Sequence, residues 1–98
     1  MTVNVEKNGD VVTIEVEGRL DTVTAPELES SLKDVYESVK TLCFDFSKLE
    51  YISSAGLRVL LSAQKTMNKF GNMVVKNVDP TVMEVFEITG FKDILTIE

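Results

Sequence analysis

The spacing of apolar residues changes along this chain, and that change restricts the folds it can adopt. Residues 2–7 and 11–17 alternate apolar with polar side chains, which is the period of a half-buried strand. The dipeptide Asn8-Gly9 lies between them and is a strong signal for a two-residue hairpin turn, because both positions tolerate positive φ. The chain is therefore predicted to open with an antiparallel hairpin, which residues 18–21 either extend or follow with a short strand.

From residue 24 onward the apolar residues recur every three or four positions, which is the period of a helix. Residues 24–40 are predicted to form a first helix. Thr24 and Glu27 have the spacing of a capping box, and Pro26 falls in the first turn, where a missing N–H costs nothing. The predicted buried stripe consists of Ala25, Leu28, Leu32, Val35, Tyr36 and Val39.

Two further helices are predicted downstream. The second begins near Ser53 or Ser54 and ends at Gly71, and the third begins at Asp79-Pro80 and ends at Gly90. The stripe of the second helix is Leu57, Leu60, Leu61, Gln64 and Met67, widened by Val59, Ala63 and Phe70.

Short apolar runs at residues 41–49, 72–78 and 93–98 alternate with these helices and are typical of strands, the first of them central and covered on both faces. A helix between two strands forms a crossover, so the later strands are expected to be largely parallel. The predicted fold is a single α/β domain over residues 1–98, with a mixed sheet that opens with an antiparallel hairpin and at least three helices packed on it. Because sites in such sheets lie outside the carboxyl ends of strands, the loop from Ser47 to Ser54 is where function is expected.

Charge and composition exclude several classes of partner. Ten basic and sixteen acidic residues give a net charge of −6, and they are distributed over the whole chain, so neither nucleic acid nor an anionic membrane is an expected partner. No apolar run is long enough for a transmembrane helix, which favours a cytoplasmic protein. The single cysteine, Cys43, lies in an apolar run and is expected to be a packed, inert thiol. Proteins or small molecules remain as partners.

The residue types present also limit the chemistry. The chain has no histidine, which removes the usual general base and the commonest metal ligand, and one cysteine cannot form a redox pair. The glycine-rich patterns that bind phosphates are also absent. Together these absences lead us to predict no metal and no cofactor. Asp10, Asp21, Asp45 and Glu50 are the candidates for acid–base work.

The segment "SSAGL" at residues 53–57 is the remaining candidate site, and it has two interpretations. In the first, Ser53 is an ordinary helix N-cap, Ser54 is exposed, and Gly56 permits close packing of the first turn. In the second, one hydroxyl is phosphorylated. A phosphate in the first turn of a helix would lie among free N–H groups and at the positive end of the dipole, so it need not unfold the domain.

The segments "GRLDTVTAPEL" and "FDFSKLEYISSAGLRVLL" together resemble the STAS domains of bacterial anti-anti-sigma factors, and the resemblance extends over essentially the whole chain. It implies an anti-sigma factor antagonist, without enzymatic activity, that binds an anti-sigma factor which is also a serine kinase. Matching the Gly-Leu pair to Gly56-Leu57 places the phosphoacceptor at Ser54, with Ser53 as the second choice. A phosphatase that resets the protein is also implied.

The same resemblance suggests a partner-binding surface. The family often has an acidic residue before the acceptor and Ser or Thr after it, where this chain has Ser53 and Ala55. Asp21 and Asp45 are expected near the same end of the sheet, with a turn cap and a solvated strand end as their structural alternatives. The predicted partner-binding residues are Asp21, Thr22, Asp45, Ser53, Ala55, Gly56 and Leu57.

Two other functions are consistent with the sequence. One is a constitutive STAS scaffold or accessory subunit, in a signalling assembly or on a transporter, that has no phosphoswitch. The other is a small enzyme or nucleotide binder that uses Asp21 or Asp45 with a metal, although the lack of histidine and of a phosphate loop weighs against it.

Overall fold

The structure is a computed structural model that describes residues 1–36 and 39–98. In chain order its elements are β1 (Thr2–Asn8), β2 (Val11–Leu20), α1 (Ala25–Lys33), β3 (Thr41–Asp45), β4 (Leu49–Ile52), α2 (Ser54–Phe70), β5 (Asn72–Lys76), α3 (Pro80–Thr89) and a 3-10 helix (Phe91–Asp93).

The strands form one mixed sheet in the order β1-β2-β3-β5, and β4 pairs with the end of β2. The β1–β2 pair is antiparallel and all the other strand pairs are parallel. The predicted α/β fold with an opening hairpin is therefore confirmed. The segment 18–20 extends β2 beyond the level at which β3 ends, and only there does β4 pair with it.

The core lies between one face of the sheet and the helices. Val12, Ile14 and Val16 of β2 are buried, whereas the alternate residues Thr13 and Glu15 are only half-buried. In the interior strand β3 three consecutive residues, Leu42 to Phe44, are buried. Cys43 is among them, and burial raises the pKa of its thiol, which agrees with the predicted packed role.

The hairpin forms with a different turn from the predicted one. Asn8 pairs with Val11, so the two-residue loop is Gly9-Asp10 and Asn8 belongs to β1. Moving the turn by one residue changes the pairing by two positions, which leaves every valine on the same face, so the apolar pattern does not choose between the two registers. Gly9 alone of the two loop residues has positive φ, at 64°, which fits a turn that needs glycine only at its first central position.

The first helix is shorter than predicted. It ends at Lys33, and the N–H of Val35 bonds to the Leu32 carbonyl, the tighter spacing typical of a closing turn. Val35 and Val39 are nevertheless buried and Tyr36 is half-buried, so the predicted stripe is correct for burial except at Tyr36, and the predicted helix is too long. The predicted helical residues Glu37 and Ser38 lie outside the described part of the chain.

The loop expected from Ser47 to Ser54 contains a strand, because Leu49–Ile52 pairs with the free end of β2. At the C-terminus, the strand predicted over 93–98 is reduced to a single bridge between Val75 and Ile97. The 3-10 helix at Phe91–Asp93 takes up the start of the predicted strand. In the described part of the chain, Val75 is the residue of β5 whose backbone bonds to the segment after this helix.

The other two helices begin and end as predicted. α2 begins at Ser54 and ends at Gly71, where an added Cβ would overlap the Lys40 carbonyl oxygen. Asp79 caps α3 by accepting the Thr81 N–H, and Gly90 ends it with φ at 82°. Two members of the predicted α2 stripe are not buried: Leu61 is half-buried at its flank, and Phe70 is exposed at the helix end.

Candidate functional site

Two parallel strands end side by side at the start of α2. Leu20 pairs with Ile52 at the ends of β2 and β4, and the Ser53 N–H donates to the Leu20 carbonyl at 2.9 Å. Asp21 and Ser53 are therefore the first residues beyond two adjacent carboxyl ends, which is the position at which sites in such sheets lie.

The two serines at this junction have different surroundings. Ser53 has extended backbone, is half-buried, and its Oγ accepts the Gly56 N–H at 3.4 Å, so its hydroxyl caps α2. The Ser53 carbonyl also accepts the Leu57 N–H at 2.9 Å. Ser54 is the first residue of α2 and is exposed. The structure thus gives Ser53 a capping role and leaves the Ser54 hydroxyl on the surface.

Gly56 allows the first turn of α2 to lie against the end of β2. A Cβ at this position would come within 2.8 Å of Leu20 Cγ and Ile52 Cγ1, and 3.0 Å from the Leu20 carbonyl oxygen. These distances are shorter than van der Waals contact, so a glycine is needed here for close approach. Gly56 and Leu57 are both buried, so they fix the position of the turn and contribute little of its exposed surface.

Asp21 organises the turn between β2 and α1. Its Oδ1 accepts the N–H groups of Val23 at 3.0 Å and Thr24 at 3.1 Å. The backbone N–H of Thr24 holds the pKa of Asp21 below its usual range; partial burial opposes this, while the Thr24 hydroxyl, the Val23 N–H and Arg19 act in the same direction. Asp21 is therefore an ionised carboxylate at neutral pH.

The predicted capping box between Thr24 and Glu27 is not formed. Thr24 precedes α1 with helical dihedral angles, and its side chain makes no capping bond. Its hydroxyl instead accepts the Asp21 N–H and donates to the Arg19 carbonyl, both at 2.8 Å. Asp21 accepts the backbone N–H groups that precede the helix. The Thr24 hydroxyl is therefore not needed as a cap and bonds to residues earlier in the chain.

Sequence reasoning missed Arg19 and Tyr51, which flank the same strand ends. The Arg19 guanidinium lies over the Tyr51 ring at 4.1 Å from its centroid, and its Nε is 4.0 Å from Asp21 Oδ2. Arg19 is paired with Tyr51 in the β2–β4 register, which only tertiary pairing could reveal. The two side chains add a cation and an aromatic ring to the surface beside Asp21.

A groove of about 220 Å³ runs between α1 and α2 next to this junction. The predicted residues Thr22 and Ala55 line it, so the structure brings them together. Arg58 and Glu29 also line it, and the sequence analysis did not single them out. The available signal was the spacing of Arg58, four residues after Ser54. The full lining is Thr22, Ala25, Pro26, Glu29, Ala55, Arg58, Val59 and Ser62.

Asp45 lies elsewhere. It pairs with Glu15 in the β2–β3 register, six residues before Asp21 on β2, which corresponds to about 20 Å along the strand. Its Oδ1 accepts the Ser47 N–H at 2.9 Å and is 3.3 Å from Asn77 Nδ2. The structure therefore does not bring Asp45 to Ser54, because β3 ends earlier along β2 than β4 does.

The environment of Asp45 still favours its ionised form. Partial burial alone would raise the pKa of this carboxyl, but hydrogen bonds from Ser47 and Asn77, with the charge of Lys48, outweigh it and lower the pKa. Both predicted aspartates are thus fixed anions, and only Asp21 adjoins the serine turn.

Other features of the surface do not coincide with the predicted residues. A shallow depression of about 600 Å³ lies between the end of β2, the β3–β4 turn and the start of α3; Glu17, Lys48 and Asp79 are among its lining residues. Within residues 1–36 and 39–98, no cluster of three or more Cys, Asp or Glu side chains is arranged to hold a metal ion. In the same part of the chain, no helix is long and apolar enough to cross a membrane.

The fold agrees with the comparison with known families. The family model of the STAS domain matches residues 2–98. The chain belongs to the STAS domain family.

Curated relatives and a solved structure support this membership. A candidate anti-sigma factor antagonist from Bordetella bronchiseptica, BtrV, is 33% identical over 99 residues, which cover 99% of this STAS chain and 85% of BtrV. The anti-sigma-B factor antagonist of Bacillus subtilis is 29% identical over 98 residues, which cover 99% of this chain and 90% of that protein. The crystal structure of an anti-sigma factor antagonist from Mycobacterium paratuberculosis superposes with a TM-score of 0.89 at 29% identity, covering 98% of this chain and 83% of that one.

Proposed function

We propose that this STAS domain, residues 1–98, is an anti-sigma factor antagonist controlled by phosphorylation. In its unmodified form it binds an anti-sigma factor that is also a serine kinase, and it thereby releases a sigma factor. The names of the relatives support antagonism. The kinase partner and the phosphorylation follow from the family resemblance of the segment around Ser54. The protein is then a substrate and a binding module without catalytic activity, acting in the cytoplasm, where a sigma factor works.

The observation that carries the proposal is the contrast between the two serine hydroxyls. Ser53 Oγ accepts the Gly56 N–H, whereas Ser54 is exposed on the first residue of α2. A kinase needs an accessible hydroxyl, so Ser54 is the proposed acceptor and Ser53 the second choice. Modification of Ser53 would also remove the cap of α2.

A phosphate on Ser54 would change the surface more than the fold. Its charge of about −2 lies at the positive end of the α2 dipole, so the helix tolerates it. At an interface built around a neutral hydroxyl, the same charge brings desolvation and repulsion. A hundredfold loss of affinity requires only about 2.7 kcal/mol. We therefore expect phosphorylation at this position to release the partner, and a phosphatase to reset the protein.

The proposed partner surface is centred on the end of β2 and the start of α2. This surface consists of Asp21, Thr22, Ala55 and the two serines. Gly56 and Leu57 are buried beneath it and fix the position of the first turn of α2. Asp45 remains a predicted contact, and its distance along β2 requires an interface that extends toward β3.

The test is incubation with ATP and each anti-sigma kinase of the host, followed by intact-mass analysis and peptide mapping of residues 45–65. One phosphate on Ser54 is the expected result. Ser54→Ala should remain bound to its kinase in the presence of ATP, and Ser54→Asp should bind about a hundredfold more weakly. Ser53→Ala is the matched control and should still be phosphorylated.

Two results would contradict the proposal. One is equal partner binding by Ser54→Ala and Ser54→Asp, which would show that Ser54 is not the switch. The other is stable co-purification with a partner that kinase and ATP do not disturb, which would favour the constitutive scaffold.

A further inference from the structure

Arg58 lies one helical turn after Ser54 on the exposed surface of α2. Residues four apart on a helix are neighbours, with Cβ atoms about 5–6 Å apart, and an anion preceding a cation is the favourable order. An arginine side chain extends farther than this separation and offers a planar fork of donors that matches phosphate oxygens. The guanidinium of Arg58 is therefore within reach of a phosphate on Ser54.

Arg58 also has no competing anion in close contact. Within residues 1–36 and 39–98, the four ion pairs at 4.0 Å or less involve Arg19, Lys40, Lys48 and Lys76, and Arg58 is not among them. α2 itself contains no acidic residue, since its charged side chains are Arg58, Lys65 and Lys69. A phosphate on Ser54 would thus be the only anion on this helix.

The surrounding charges direct the phosphate toward Arg58. The ionised carboxylate of Asp21 lies beside the turn at the end of β2 and repels a second anion. Glu29 of α1 lines the same groove as Arg58 and is a competitor for its guanidinium. A phosphate carries about twice the charge of a carboxylate and has more acceptor oxygens, so it should prevail over Glu29.

We infer that Arg58 binds the phosphate of phosphorylated Ser54 within the same helix. This inference rests on the proposed function, in which Ser54 is the acceptor. Because Arg58 also lines the α1–α2 groove, the pair moves its guanidinium from the groove wall toward the turn. Phosphorylation then alters two adjacent parts of the partner surface: the exposed hydroxyl and the charge of the groove.

The experiment uses the full chain with phosphoserine incorporated at position 54 during synthesis. A pH titration followed by ³¹P NMR gives the second pKa of the phosphate, which is ordinarily about 6. In the otherwise native chain this pKa should be lower than in Arg58→Gln by roughly half a unit or more, because a paired cation favours the dianion. Arg58→Lys should restore part of the shift.

Lys65→Gln provides the matched control. It removes the same charge from the exposed face of α2 at a point about 16 Å along the helix from Ser54, and should leave the phosphate pKa unchanged. Equal pKa values in the native chain and Arg58→Gln would overturn the inference. A shift of the same size in Lys65→Gln would also overturn it, because that result indicates a general field and no specific pair.

The titration distinguishes a failure of the inference from a failure of the proposed function. Phosphoserine is installed directly, so the titration needs neither a kinase nor a partner. If the pair forms but no host kinase modifies Ser54, the proposed function fails and the inference stands. If kinases modify Ser54 and the titration shows no pair, the proposed function stands and the inference fails.

Discussion

The ends of β2 and β3 resemble each other in local chemistry and differ in what surrounds them. Each strand is followed or ended by an aspartate whose Oδ1 accepts the backbone N–H two residues later, from Val23 for Asp21 and from Ser47 for Asp45. In both cases the pKa of the carboxyl is lowered. The local chemistry of the two strand ends therefore gives equal reason to assign a site to either aspartate.

The neighbouring strand makes the difference. β4 ends level with β2 and leads directly into α2, so an exposed helix start with Ser54 lies beside Asp21. The chain after Asp45 instead passes through a short turn and continues in the same direction into β4. The side-chain neighbour of Asp45 is Asn77, which has φ at 58°. An aspartate at a strand end is thus not in itself a sign of a site; the element that begins next to it decides.

The largest expected effect is a difference in stability loss between the end of β2, where packing is tight, and the end of β3. Gly56→Ala should lower the free energy of unfolding by about 2 kcal/mol, because the new methyl meets Leu20 and Ile52 at 2.8 Å and overpacking exceeds the gain in helix propensity. At the other end, Asn77→Ala should cost about 1 kcal/mol, through positive φ and a lost hydrogen bond.

Urea unfolding of both variants measures this difference, with Ser62→Ala on the exposed side of α2 as the control. An unchanged unfolding midpoint for Gly56→Ala would mean that α2 shifts freely away from β2, and the rigid junction described above would be wrong.

A smaller effect should distinguish the two serines. Ser53→Ala removes the cap of α2 and should cost about 1 kcal/mol, whereas Ser54→Ala should change stability by less than about 0.5 kcal/mol. Thermal unfolding of the two single variants is the measurement. Equal losses would contradict the separation of a capping serine from a surface serine.

The smallest expected effect concerns pH. The pKa of Asp21 and that of Asp45 are lowered on folding, so each carboxylate contributes stability that is present above its unfolded pKa of about 3.9 and is lost as pH falls through the lower folded value. Asp21→Asn and Asp45→Asn should therefore weaken stability at pH 7 and flatten its decline in acid.

The size of this flattening sharpens the comparison. It should be greater for Asp21→Asn, because two backbone N–H groups bond to that carboxylate and only one to that of Asp45. Burial opposes the lowering of the pKa at both residues, but it is the largest single contribution only at Asp45. Unfolding free energies measured between pH 2 and pH 7 test the order. A flatter curve for Asp45→Asn than for Asp21→Asn would reverse it.

Much of the fold could be predicted because the signals are local. Asp79-Pro80 and Gly90 mark the ends of α3 through capping and backbone freedom, which act within a few residues. The strand–helix alternation likewise predicts parallel pairing. The errors occur where two local solutions have similar energies, as at Asn8-Gly9, or where pairing creates an element, as at Leu49–Ile52.

The candidate site divides in the same way. By itself the sequence determined that a serine turn begins a buried helix next to a glycine, and that the chain has no histidine and a single cysteine, because residue identity and spacing suffice for both. Only the tertiary structure decided that Asp21 and the α1–α2 groove adjoin that turn while Asp45 does not. The relative lengths of β2, β3 and β4 place these residues, and those lengths depend on pairing between segments that are distant in the chain.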